Sequence, residues 1–137
     1  MKLKLLVLPL LIFIVSSCDL ENPGGVLTNN ELPTSVIEFF ENTDILESEQ
    51  IIAYYDVTIA LDNSESAILT NKNLIYYKNG RIERFPLNSI ASIDAEDCFG
   101  LCIIVSTIDN RVMKIEIAPL NGGDLFLELL RKQVNKV

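Results

Sequence analysis

Alternating apolar and polar positions dominate the second half of this chain, and helical spacing brackets them. Ile51, Ile52, Tyr54, Tyr55, Val57, Ile59 and Leu61 are strand formers, closed by the turn residues Asp62-Asn63-Ser64. Ala67 to Thr70 predicts a second strand, Asn71-Lys72-Asn73 a turn, and Leu74 to Lys78 a third strand. Asn79-Gly80 is a strong hairpin signal, because a type I′ turn needs positive φ at both central residues. Arg81 to Leu87 returns as a fourth strand, with Pro86 near its end favouring an edge or a bulge. In Ser89 to Glu96, Ile90 and Ile93 stand three apart, a spacing that fits a bulged fifth strand. Leu101 to Ile108 is a sixth. Val112 to Ala118 is a seventh, with Met113, Ile115 and Ile117 alternating against Lys114 and Glu116.

Two helices flank these strands. Ser35-Val-Ile-Glu38 has capping-box spacing and predicts a short helix near 35–42. Asp124 is placed to cap a final helix, whose Leu125, Phe126, Leu129, Leu130 and Val134 form one apolar stripe. The fold class is therefore mainly β: a seven-stranded bent sheet or barrel, plugged by a C-terminal amphipathic helix and preceded by a short helix.

The N-terminus has a different texture. Lys2 and Lys4 precede the apolar run Leu5 to Val15, which Pro9 interrupts. A membrane-spanning helix needs about 20 apolar residues, so this run predicts a secretory signal peptide. Val15-Ser16-Ser17-Cys18 resembles the lipobox of bacterial lipoproteins. That resemblance implies cleavage after residue 17 and acylation of Cys18, anchoring the protein to a membrane of the cell envelope. The alternative is an ordinary signal peptide cut near a chance cysteine. In enteric bacteria an acid at the position of Asp19 resembles an inner-membrane retention signal. Residues 18–33, with Pro23, Gly24, Gly25, Asn29, Asn30 and Pro33, suit a lipidated flexible tether. A dozen such residues span about 20 Å as a coil. The alternative is a strand hidden within them. The domain proper is then 34–137.

Charge narrows the partners. The whole chain carries a formal −8, and losing Lys2 and Lys4 with the leader brings it to about −10. Such a surface repels nucleic-acid phosphates and anionic headgroups, so no nucleic acid is expected as a partner.

Candidate chemistry is sparse. The chain has no histidine, which excludes Ser-His and Cys-His nucleophile systems and leaves a zinc site short of ligands. Cys98 and Cys102 flank Phe-Gly-Leu between two strands. A three-residue hairpin loop with Gly100 left-handed would set them opposite each other for a disulfide, and two reduced thiols are the alternative. Asp94, Glu96 and Asp97 crowd one strand end, and Asp62 and Glu65 flank a turn. Acidic turns of this kind are ordinarily solvated rather than catalytic. No metal, no cofactor and no enzymatic activity are expected.

The segments "EQIIAYYDVTIALDN", "AILTNKNLIYYKNGRIERFPLNSIASI", "LCIIVSTIDNRVMKIEI" and "DLFLELLRKQV" resemble the bacterial pleckstrin-homology-like (PH-like) domains over roughly residues 45 to 134. The resemblance implies a seven-stranded bent sheet capped by a helix and implies little about chemistry. Eukaryotic members often bind phosphoinositides through basic residues near the first hairpins. Here Lys72, Lys78, Arg81 and Arg84 occupy comparable ground, with Glu83 among them in an acidic protein, so a solvated hairpin is the preferred reading. The sequence thus points to a membrane-tethered binding module for a protein partner, with a small-ligand or lipid-binding protein as the alternative. The adjacent pairs Tyr54-Tyr55 and Tyr76-Tyr77 are its candidate contact residues, since one of each pair should point outward from a strand.

Overall fold

A computed structural model describes residues 23–137. The leader at 1–17, Cys18 and Asp19 lie outside the described residues. Among the described residues, eight strands form two antiparallel sheets. The first holds β1 (Val26–Thr28), β2 (Ile51–Asp56), β3 (Glu65–Thr70), β4 (Asn73–Lys78) and β5 (Arg81–Pro86) in sequential order. The second holds β6 (Ile90–Cys98), β7 (Gly100–Thr107) and β8 (Val112–Ile117). Helix α1 (Thr34–Thr43) lies between β1 and β2 in the chain, and α2 (Gly123–Val134) ends the fold.

Three expectations are corrected here. First, the sheets do not close into a barrel. Pro86 ends β5 without an N–H to donate, and the 3-10 turn Leu87–Ser89 redirects the chain. The next strand therefore pairs with β7 and not with β5. The corner is tied by Arg111, whose guanidinium donates to the Arg84 carbonyl at 3.3 Å and stacks 4.8 Å from the Phe85 ring centroid. Second, the segment expected to be tether up to residue 33 contains β1, which pairs Val26, Leu27 and Thr28 with Tyr55, Tyr54 and Ala53. A 3-10 turn at Asn29–Glu31 follows it. Third, neither helix is capped as predicted. Pro33 precedes α1 and a left-handed Gly122 precedes α2, neither with a side-chain cap. The capping pattern sits earlier, where the Glu31 carboxylate accepts both the Thr28 N–H at 2.8 Å and its hydroxyl at 2.7 Å.

Two apolar layers result, one on each face of the first sheet. Between the sheets lie Ala53, Tyr55, Ala67, Leu69, Leu74 and Phe85 against Ile103, Val105, Met113, Ile115 and Ile117. Helix α2 closes this layer with Phe126, Leu127 and Leu130, while Leu125 is exposed, so the buried stripe is rotated from the predicted one. On the opposite face, Tyr54, Ile68 and Ile75 meet Val36 and Phe40 of α1 and Ile45 beyond it. Phe40 packs edge-on to Tyr54 with ring centroids 5.6 Å apart. A register shift between Ile90 and Ser92 marks the bulge that the uneven isoleucine spacing foretold.

Candidate functional site: a groove beside the N-terminal helix

Because both faces of the first sheet are covered, the tyrosine pairs do not project as expected. Tyr54 is buried under α1 and Tyr55 between the sheets. Buried, they present nothing to a partner. Tyr55 instead joins the two sheets: its hydroxyl accepts the Ala118 N–H at 3.2 Å and a bond from the Asn121 side-chain amide at 3.5 Å. Tyr76 and Tyr77 are half-buried. The Tyr76 hydroxyl donates to Glu65 Oε1 at 2.5 Å, and Tyr77 packs edge-on to Phe39 at 5.1 Å.

Tyr54 anchors a buried polar chain. Its hydroxyl donates to Asn63 Oδ1 at 2.5 Å, and the Asn63 N–H donates to Asp56 Oδ2 at 2.8 Å. Asp56 Oδ1 accepts from the Thr58 N–H at 2.8 Å and hydroxyl at 2.6 Å. The chain holds the β2–β3 loop in place. Burial, and then the charge of Asp56, push the Tyr54 hydroxyl well above the ordinary tyrosine range. Burial and then the bond to Glu65 raise Tyr76, while the same bond, ahead of Lys78, holds Glu65 below its usual value.

The sign of the tyrosine effect follows from linkage. Raised in the folded state, Tyr54 contributes its stability in full below the unfolded value of about 10 and loses it as pH climbs through the folded value. Ultraviolet titration at about pH 11 should therefore find less tyrosinate in folded than in urea-unfolded protein, and Tyr54→Phe should narrow that gap. Identical folded and unfolded titrations would remove the assignment.

Cys98 and Cys102 form a disulfide, with Cα atoms 5.8 Å apart. They are not directly opposite. Cys98 pairs with Gly100 and Cys102 with Glu96, so the bond runs diagonally between the two strands, from an exposed Cys98 to a buried Cys102. So short a loop adds about 2 kcal/mol in the chain-entropy model.

The basic residues do not converge. Lys72 stands in the β3–β4 turn, whereas Lys78 and Arg81 face each other at the other end of β4, beside the β4–β5 turn. Lys78 pairs with Glu65 at 3.1 Å, and Arg84 binds the Ile45 carbonyl and Glu47, the latter at 3.3 Å. Asp94, Glu96 and Asp97 are exposed along β6. Among the described residues, no group of three or more Cys, Asp and Glu is arranged to hold a metal ion. Nor is any helix among them long and apolar enough to cross a membrane.

What the fold does build is a surface groove that the sequence reading missed. Leu32, Ile37, Phe40, Leu46 and Ile51 line a concavity of about 390 Å³ between α1 and the start of β2, with Asn29 and Glu41 at its rim. Ile37 is 45% exposed within it. The space between the sheets, by contrast, is filled by side chains such as Phe85, Leu74, Ile103 and Phe126. The only trace of the groove in the sequence is Ile37, an apolar residue one step out of phase with the buried pair Val36 and Phe40.

No family model, curated protein or solved structure matches the chain.

Proposed function

We propose that the protein is a lipid-anchored envelope protein whose domain is a non-catalytic binding module, gripping a protein partner in the groove beside α1. The observation that carries the binding reading is the groove itself: five apolar side chains around an open cleft with a polar rim, the usual anatomy of a contact site. The anchor reading rests on the leader and on Val15-Ser16-Ser17-Cys18. β2 to β8 followed by α2 supply seven strands and then a helix, the order that a PH-like domain implies, which supports that reading of the fold. A filled interior speaks against the alternative of a ligand carried between the sheets.

The test is photo-cross-linking in cells with a benzoylphenylalanine in place of Ile37. A discrete adduct is expected with the palmitate-labelled protein. The same probe in place of Glu128, on the exposed side of α2, should give none. Absence of any adduct from Ile37, together with a small molecule copurifying in native mass spectrometry, would replace this reading with the ligand-binding one.

A further inference from the structure

The end of the domain where β1 begins carries its most exposed apolar side chains. Several segments meet there. The Val26 N–H donates to the Asn121 carbonyl at 2.8 Å. Gly24 lies against Leu61 of the β2–β3 loop, and Gly25 against Asn121 of the β8–α2 loop. Gly100, the first residue of β7 beside the β6–β7 tip, sits under the backbone of residues 117–119. One rim is thus built from three loops around the point where the chain joins the fold. From these loops project Ile59 and Leu120, both fully exposed, and Phe99, 89% exposed. Among the described residues these are the three most exposed large apolar side chains, and none belongs to either buried layer. Three such residues on three separate loops add nothing to either core.

The rim's position identifies what it meets. Only five residue steps separate Cys18 from Pro23, a reach of at most about 18 Å even when fully extended. An acylated Cys18 would hold this end, and no other, beside the bilayer. We infer that the rim rests on the membrane, with Ile59, Phe99 and Leu120 inserted at the boundary between headgroups and acyl chains. This inference rests on the anchoring of Cys18 proposed above. The surface it fits is one of zwitterionic lipid. Asp62, Asp97 and Asp124 belong to the same rim and repel anionic headgroups, while Lys78 and Arg81 at the nearby β4–β5 turn are too few to offset them. Insertion would give the domain a fixed stance on the bilayer. It also points the α1 groove away from the bilayer, because Asn29 and Ile51 lie at the far ends of β1 and β2.

The chain has no tryptophan, so a single one reports without background. Ile59→Trp, Phe99→Trp, Leu120→Trp and the far-end control Ile108→Trp would each be purified as full-length protein from membranes. Each is then reconstituted into phosphatidylcholine vesicles with and without brominated chains. The three rim tryptophans should shift to the blue and be quenched at least about two-fold by bromine, a depth matching interfacial insertion. Ile108→Trp should do neither. Flotation of the wild type against Cys18→Ala is run in parallel. If the wild type floats and the rim tryptophans behave like Ile108→Trp, the stance is overturned and the anchor stands. If the wild type fails to float, both fall. Rim tryptophans that stay wet in vesicles but are shielded from iodide in native membranes would mean that a protein covers the rim, which also overturns the inference.

Discussion

Phe126→Ala should cost about 3–5 kcal/mol, the largest loss of any single substitution considered for this domain. Phe126 has no solvent exposure and sits where α2 seals the layer between the sheets. It is the only aromatic side chain that α2 contributes to that layer. Truncation leaves a cavity that the facing strands, fixed by their own ladders, cannot collapse to fill. With a urea dependence of about 2 kcal/mol per molar, the midpoint should fall by about 1.5–2.5 M. Amide exchange should show α2 loosening first. Leu125→Ala, one position away on the exposed side, should stay within about 1 kcal/mol of wild type. Equal losses at the two positions would mean that α2 does not seat as described.

Gly100→Ala should lower stability by about 3 kcal/mol or more. Gly100 opens β7 with φ +107, a conformation that side chains rarely adopt. The tighter constraint is steric. A Cβ there would stand 2.1 Å from the Ile117 carbonyl oxygen and 2.9 Å from Ala118 C and Pro119 N, all backbone atoms. Relief requires β7 and the end of β8 to part, which disturbs Leu101↔Ile117, the last pair of that ladder. Gly80→Ala is the control. Its φ is +85 but its Cβ would meet nothing within 4 Å, so it should lose only about 1–2 kcal/mol, the backbone term alone. Denaturant midpoints under oxidising conditions, with the disulfide intact, decide between them. A Gly100→Ala midpoint no lower than that of Gly80→Ala would show that the close approach is absent in solution.

Strand order was legible in the sequence wherever alternation was clean. In β8, Met113, Ile115 and Ile117 face inward and Lys114 and Glu116 outward, as their spacing says. β1 escaped because three residues between two glycines and two asparagines carry no periodicity, and long-range pairing with β2 decides their state. The tyrosines misled for a related reason. Alternation reports that two neighbours face opposite sides, not that one side is wet. Once α1 covers the outer face of the sheet, Tyr54 and Tyr55 are both interior. In α2 a dense leucine run allowed several stripes, and packing chose the one with Leu127 over Leu125. The groove was illegible because its residues, though all between 29 and 51, belong to different elements, and no periodicity reports how α1 folds back beside the start of β2.

β1 also fixes how the domain bears load. Under the anchoring and binding proposed above, a partner drawn away from the membrane would pull on the groove at one end of the molecule, and Cys18 would pull back at the other. The line of force then runs along β1. Hydrogen bonds between strands lie across that line, so the pairs from Val26 to Thr28 are strained together in shear and do not unzip singly. The Val26 bond to Asn121 shares the strain with the second sheet. Under that anchoring a three-residue strand placed this way would act as a mechanical clasp, taking up tension before the fold behind it unravels.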